Sequence, residues 1–133
     1  MKKVAIIAVI IVVGLFVIAT DMVVNPIQQW VVNNPKSSAA PRVIYTMAGY
    51  LYMVAQRGGK ATELYQTAFR LFPKHPDEPE AHYRIALYYE SKRDYPRAID
   101  EYQLILKQYP DLGEKLNLNS RIDHIHALQG EVR

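Results

Sequence analysis

The 133-residue sequence contains no cysteine. That excludes disulfides, thiolate metal sites and a lipidated N-terminal cysteine, and it leaves the redox compartment open. A concentrated basic face is also lacking. The formal net charge is +3, of which Lys2 and Lys3 supply two, leaving 3 − 2 = +1 for the rest of the chain. A nucleic-acid binder carries a clustered basic surface, so no nucleic-acid partner is expected. There is no nucleophile elbow, phosphate-binding glycine loop or catalytic carboxylate pair. Gly58-Gly59-Lys60 lacks the P-loop spacing and reads as a helix-turn signal. The four histidines, His75, His82, His124 and His126, lack the i, i+4 spacing with an intervening carboxylate that a helical zinc site requires. His124 and His126 point to different faces of one helix. His82 reads as a partly buried packing residue. No metal, no cofactor and no enzymatic activity are expected.

What is present begins with an apolar run. Residues Val4 to Ala19, VAIIAVIIVVGLFVIA, hold no charge and no proline. With Thr20 they span roughly 25 Å as a helix, short of a bilayer core of about 30 Å. Met22 to Val24 complete the length when Asp21 lies among headgroups. Residues 1–24 are thus expected to form a single-pass signal anchor, with membrane contact through 4–24. Val17-x-Ala19 resembles a small-residue cleavage site, so a cleaved leader is the alternative, although the run exceeds the usual 7–15 residues of a leader. The basic flank keeps the N-terminus cytoplasmic and exports the remainder across the inner or plasma membrane, into the periplasm in a bacterium. Asn25-Pro26 is expected to end this helix. Residues 25–41 form a juxtamembrane linker, in which Ile27, Trp30 and Val31 share one face of a short surface helix. Trp30 suits the interfacial aromatic belt. The stretch from Asn33 to Pro41 is a loop by composition.

From Arg42 onward the pattern is helical. Gly58-Gly59 interrupts it, and a second helix runs from about 60 to 72. Pro73, Pro76 and Pro79 bound a turn. A third helix follows at about 80–91, a turn at 92–95, and a fourth helix that reaches Tyr109 before Pro110. Leu112-Gly113 marks a last break before a fifth helix at about 114–128. The segments ATELYQTAFRLFP and AIDEYQLILKQYP align, with Ala61 on Ala98, Tyr65 on Tyr102, Phe72 on Tyr109 and Pro73 on Pro110, an offset of 37 residues. The ten tyrosines recur at helical spacing, which core and groove packing explains. Charge differs between the halves. Residues 42–75 carry five Lys/Arg against Glu63, or 5 − 1 = +4, and 79–112 carry five against six, or −1. Ordinary solvated faces explain such charge best. A basic segment nearest a bilayer would also meet anionic headgroups.

These segments resemble the tetratricopeptide repeat, whose signature is W-x2-L-G-x2-Y, then A-x3-F, then Pro. Ile85-Ala86-x2-Tyr89, Tyr95, Ala98-x3-Tyr102 and Pro110 match it in residues 79–112. Ala48-Gly49-x2-Tyr52, Ala61-x3-Tyr65 and Pro73 match it in 42–75. The signature Trp is replaced by Tyr45 and His82, and Gly58 stands at the turn aromatic of the first unit. With the transmembrane helix expected from the apolar run, the resemblance implies an all-α fold: an N-terminal transmembrane helix plus a short α-solenoid of two helix pairs, with residues 113–133 as a capping helix and tail. Leu116, Leu118, Ile122, Ile125 and Leu128 give that helix its apolar stripe. The open face of the first repeat would be covered by residues 27–34 or by a partner. The resemblance also implies a concave groove, here Thr46, Tyr50, Met53, Tyr83, Leu87, Glu90, Asn117 and Arg121, suited to a peptide or amphipathic helix of a protein partner. The Lys/Asn set that clamps a terminal carboxylate in some members is not evident. The function so implied is a membrane-tethered scaffold or adaptor in envelope assembly or complex biogenesis. Tyr109-Pro110-Asp111 is similar to the ending common among outer-membrane assembly and cell-division coordinator members. The alternatives are a structural accessory subunit bracing a larger membrane complex, and a cleaved, free periplasmic adaptor.

Overall fold

The computed structural model describes residues 2–131, and every described element is an α-helix. Beyond Lys2 and Lys3, helix α1 (Lys2–Ile18) is built from Val, Ile, Ala, Gly, Leu and Phe with no polar face. It ends at Ile18; at Thr20 the hydroxyl donates to Val17 O at 2.7 Å and the backbone turns extended to start α2 (Asp21–Asn33). A bend of 51° separates the two helices. No single described helix is long and apolar enough to cross a membrane, although this bent pair meets the length and composition together.

This corrects the expected anchor helix over 1–24. Its apolar stretch stops at Ile18, and Met22 to Val24 belong to α2. Asn25-Pro26 does not end a helix either, because Pro26 lies inside α2. The proline removes one bond, to the carbonyl of Met22, and such an interior proline costs about 3 kcal/mol. Val24 and Val31, both fully buried, each return about 1.5–3 kcal/mol by leaving water, and this packing outweighs the lost bond. The expected linker over 25–41 is thereby reduced, since helix continues to Asn33 and loop begins at Asn34.

Helices α3 (Ala40–Met53) and α4 (Gly58–Leu71) complete one compact unit that extends to Pro73. Its core holds Ile44, Ala48, Leu51, Ala61, Leu64 and Ala68. Tyr45, Tyr65 and Phe69 form a ring cluster with centroids 6.2–6.5 Å apart. Ala61 and Ala68 let the two helices approach closely, because a larger side chain would stand between them. Helix α2 packs on α3. Its Gln28 amide donates to Glu63 at 3.1 Å and to Thr67 at 3.4 Å on α4, so α2 covers the face that a repeat leaves open. The corner between α3 and α4 lies at 54–57, before the glycines. Gln56 takes the left-handed conformation there (φ 53°), and Gly58 opens α4.

The second unit, from Lys74 onward, contains α5 (Glu78–Ser91), α6 (Tyr95–Gln108), α7 (Pro110–Lys115) and α8 (Leu118–Glu131). Prolines stand in the first turns of α5, α6 and α7, where the missing N–H has no helical partner to lose. Ala81, Ile85, Ala86, Ala98, Ile105 and Ile125 form the core. The single fifth helix expected over 114–128 is two helices. They meet at Asn117, which adopts φ 54°. Gly113 is not a break. It is buried within α7, and a Cβ there would come within 2.8 Å of Leu106 on α6. Glycine at this position is a requirement of close helix approach.

Candidate functional site

The eight residues assigned to the groove divide between the two compact units. In the first, Thr46 and Tyr50 line a cleft of about 400 Å³ with Arg42, Val43, Met47 and the end of α1 at Ile18. Tyr50 also lines a second cleft, at the elbow between α1 and α2. Its hydroxyl donates to the Leu15 carbonyl and props α1 against α3. Met53 lines neither cleft and is 65% exposed at the end of α3. The α1–α2 elbow was not legible as a site. Arg57 reaches it from the α3–α4 corner, donating to the Ala19 carbonyl and to Asp21 Oδ1 at 2.7 Å. Behind the elbow, Lys60 donates to Glu63 at 2.9 Å and to Gln28 at 3.2 Å. Lys60, opposed in part by burial and helped by the Gln28 amide, holds the Glu63 carboxyl below its ordinary range.

In the second unit the structure draws three polar groups together. Glu90, on α5, accepts the Tyr102 hydroxyl at 2.6 Å and two N–H groups of Arg121 at 2.8 and 3.2 Å. The guanidinium also lies over the Tyr102 ring, 5.8 Å from its centroid. Burial works against the charged form of Glu90, and the bonds from Arg121 and Tyr102 more than offset it, so the carboxyl is held below its usual range. Burial, reinforced by Glu90, pushes the Tyr102 phenol far up. The Glu90 hydrogen bond raises Arg121 further against the opposing effect of burial. Glu90 and Arg121, both expected in the groove, are each other's partner, and they tie α5, α6 and α8 together. Tyr83 stacks at a tilt on Tyr102, with centroids 6.3 Å apart, and Leu87 is half-buried beside it on α5. Asn117 stands exposed at the α7–α8 corner, where its Oδ1 accepts from Ser120 at 3.2 Å.

His82, expected to be a partly buried packing residue, is buried, as is Tyr45 at the equivalent place. Packing is only part of its role. Its Nδ1 lies 2.7 Å from Glu101 Oε2 on α6, and its Nε2 lies 3.7 Å from Glu78 Oε1. A carboxylate only accepts, so Nδ1 carries the proton it donates to Glu101. Glu78 also accepts the backbone N–H of Lys74 at 2.6 Å. Glu101 could have been found in the sequence. At the offset of 37 it falls on Leu64 while His82 falls on Tyr45, so both partners change from apolar to polar together.

A family model described as "Tetratricopeptide repeat" matches residues 46–112, or 67 of the 133 residues. No curated protein and no solved structure matches the chain.

Proposed function

Because the chain belongs to the tetratricopeptide repeat family, whose repeats generally mediate protein–protein interactions and are typically non-catalytic scaffolds, we propose that it is a membrane-tethered adaptor that holds a protein partner beside the bilayer. The observation that carries the tether is the surface of α1. Val4, Ile7, Ile10, Val13 and Phe16 fall on different sides of the helix, and each is more than half exposed. A helix apolar on every side finds its solvent in lipid or in another protein's core. The bend at Thr20 places Asp21 outside the apolar stretch, and the basic Lys2-Lys3 flank sets the N-terminus on the cytoplasmic side. The repeats then face the opposite compartment, the periplasm in a bacterium, and the work there is envelope assembly or complex biogenesis. Retention of α1 is favoured over cleavage after Ala19. Cleavage would remove the carbonyls that accept from Tyr50 and Arg57.

The partner is read as an amphipathic helix or extended peptide, seated on half-buried apolar side chains with a polar margin. Leu87, half-buried on α5, represents that surface. The test is extraction of membranes from cells making the full chain, with a photoreactive residue at Tyr83, one turn before Leu87 on α5. The chain should stay in the membrane fraction through an alkaline wash and release only in detergent. A discrete crosslinked protein should co-purify, and Leu87→Glu should weaken its capture about tenfold or more, the scale of a central interface residue. A chain released by the wash removes the tether. Unchanged capture by Leu87→Glu removes the surface assignment.

A further inference from the structure

The cleft at the α1–α2 elbow belongs wholly to the first unit and encloses about 570 Å³. That is within the range of sites that take small molecules. Its wall is apolar along α1, through Val12, Leu15 and Phe16, and continues to Val54 and Ala55 at the α3–α4 corner. Its polar end is the Arg57–Asp21 pair with Thr20. The two charged side chains are bonded to each other, yet Arg57 is 35% and Asp21 60% exposed. A wall that follows an apolar helix and ends at a paired cation and anion is the shape of an amphiphile with both charges in its head.

We propose that this cleft holds one phosphatidylethanolamine molecule, its acyl chain along Val12, Leu15 and Phe16, its phosphate on Arg57 and its ammonium on Asp21. The assignment rests on the membrane tether proposed above. Arg57 has five N–H donors, and the structure commits one nitrogen to the Ala19 carbonyl and another to Asp21 Oδ1. The remaining donors suit phosphate oxygens. Asp21 has a second carboxylate oxygen, an acceptor for an ammonium N–H. Charge balance selects among headgroups. The ion pair leaves the rim without net charge, and Lys60, the next cation along the chain, is taken by Glu63 at 2.9 Å. A phosphatidylglycerol headgroup would bring uncompensated negative charge against Asp21. Phosphatidylcholine has a cation but no N–H to donate. The primary ammonium headgroup alone satisfies both members of the pair.

The experiment is native mass spectrometry of the full chain in mild detergent. Equimolar phosphatidylethanolamine, phosphatidylcholine and phosphatidylglycerol of identical acyl composition are added. The phosphatidylethanolamine adduct should exceed the phosphatidylcholine adduct roughly tenfold, the scale of one hydrogen bond to a charged group. Asp21→Asn should erase that preference. Ala55→Trp, which fills the apolar wall, should reduce all adducts while circular dichroism shows the helix content kept. Equal retention of the lipids by the unaltered chain, or preference for phosphatidylglycerol, overturns the assignment. So does a protein crosslink in place of a lipid adduct from a photoreactive residue at Phe16. Flotation of the same chain with phosphatidylcholine vesicles separates the two claims. A chain that floats without lipid preference loses only this site, whereas a chain that does not float loses the tether and the site with it.

Discussion

Where Tyr45 fills the first repeat with an aromatic ring, the second repeat carries His82, and the residue facing each differs in kind as well. At the repeat offset, Leu64 corresponds to Glu101, and Met53 to Glu90. Tyr45, Tyr65 and Phe69 make the first core a ring cluster. In the second, a His–carboxylate pair at 2.7 Å stands at the positions of Tyr45 and Leu64, and Glu90 gathers Tyr102 and Arg121. Tyr65 and Tyr102 are equivalent and both are buried; Tyr65 packs on Tyr45 and Phe69, while Tyr102 packs on Tyr83 and also bonds the Glu90 carboxylate. One backbone arrangement accepts an apolar or a polar filling, provided each polar group is satisfied. What cannot be mixed is one polar residue from the second unit set into the apolar surroundings of the first.

The largest expected effect follows from that mixture. Leu64 is 1% exposed. Leu64→Glu would copy Glu101 into the first unit without its histidine and leave a carboxylate buried and unpaired. The expected loss is about 3–5 kcal/mol, read by urea unfolding of the full chain in detergent. Adding Tyr45→His should recover about 1 kcal/mol or more, since the pair would then match the second unit. A loss below about 1 kcal/mol for the single variant, or no recovery in the double, breaks the equivalence of the two positions.

A smaller effect separates Met53 from Glu90. Glu90→Ala leaves the hydroxyl of the fully buried Tyr102 without its acceptor, for a loss of about 2 kcal/mol. Met53→Ala at the exposed equivalent should fall within about 0.5 kcal/mol of the parent. Acid sharpens the contrast. The folded Glu90 carboxyl lies below its ordinary value of 4.5. Its stabilisation is therefore complete above that value and is lost as pH falls through the depressed one. Unfolding followed by tryptophan-independent far-ultraviolet dichroism should show Glu90→Gln to be less pH-sensitive than the parent below pH 4.5. Identical acid profiles for the two proteins would mean that Glu90 is not the titrating link.

The same comparison shows what the sequence made legible. The helix pairs, their corner prolines and the alanines at their contacts repeat in the chain, and the backbone follows them because local propensity and packing agree there. The elbow at Ala19-Thr20 carries no glycine or proline. It was hidden because its causes are a threonine hydroxyl bonding back and an arginine 36 residues away in sequence from Asp21. Pro26 and Gly113 look like breakers and are not, since packing of Val24 and Val31 in one case and of Leu106 in the other overrides the local signal. Of the assigned groove, Tyr50, Tyr83, Glu90 and Arg121 have partners within their own unit. Facing residues are visible in a repeat pattern, but which of them pair with each other depends on side-chain reach.

The smallest effect tests where the two units agree. Gln56 and Arg93 are equivalent at the offset of 37, and both take left-handed backbone, with φ 53° and 58°. Each lies in the corner between the helices of its repeat, a position where glycine is the common choice. A residue with a Cβ in this conformation costs roughly 1–2 kcal/mol relative to right-handed backbone. Glycine removes that strain, while its freer unfolded chain takes back a part of the gain. Gln56→Gly and Arg93→Gly should therefore each stabilise the chain by about 0.5–1 kcal/mol, visible as a small shift of the urea midpoint with unchanged slope. Similar gains from the two would mean that the corner is set by backbone geometry common to both repeats, independent of the aromatic or ionic core beneath it. A gain in one and a loss in the other would mean that the side chain at that corner contributes contacts of its own, and the likeness of the two units would end at the helices.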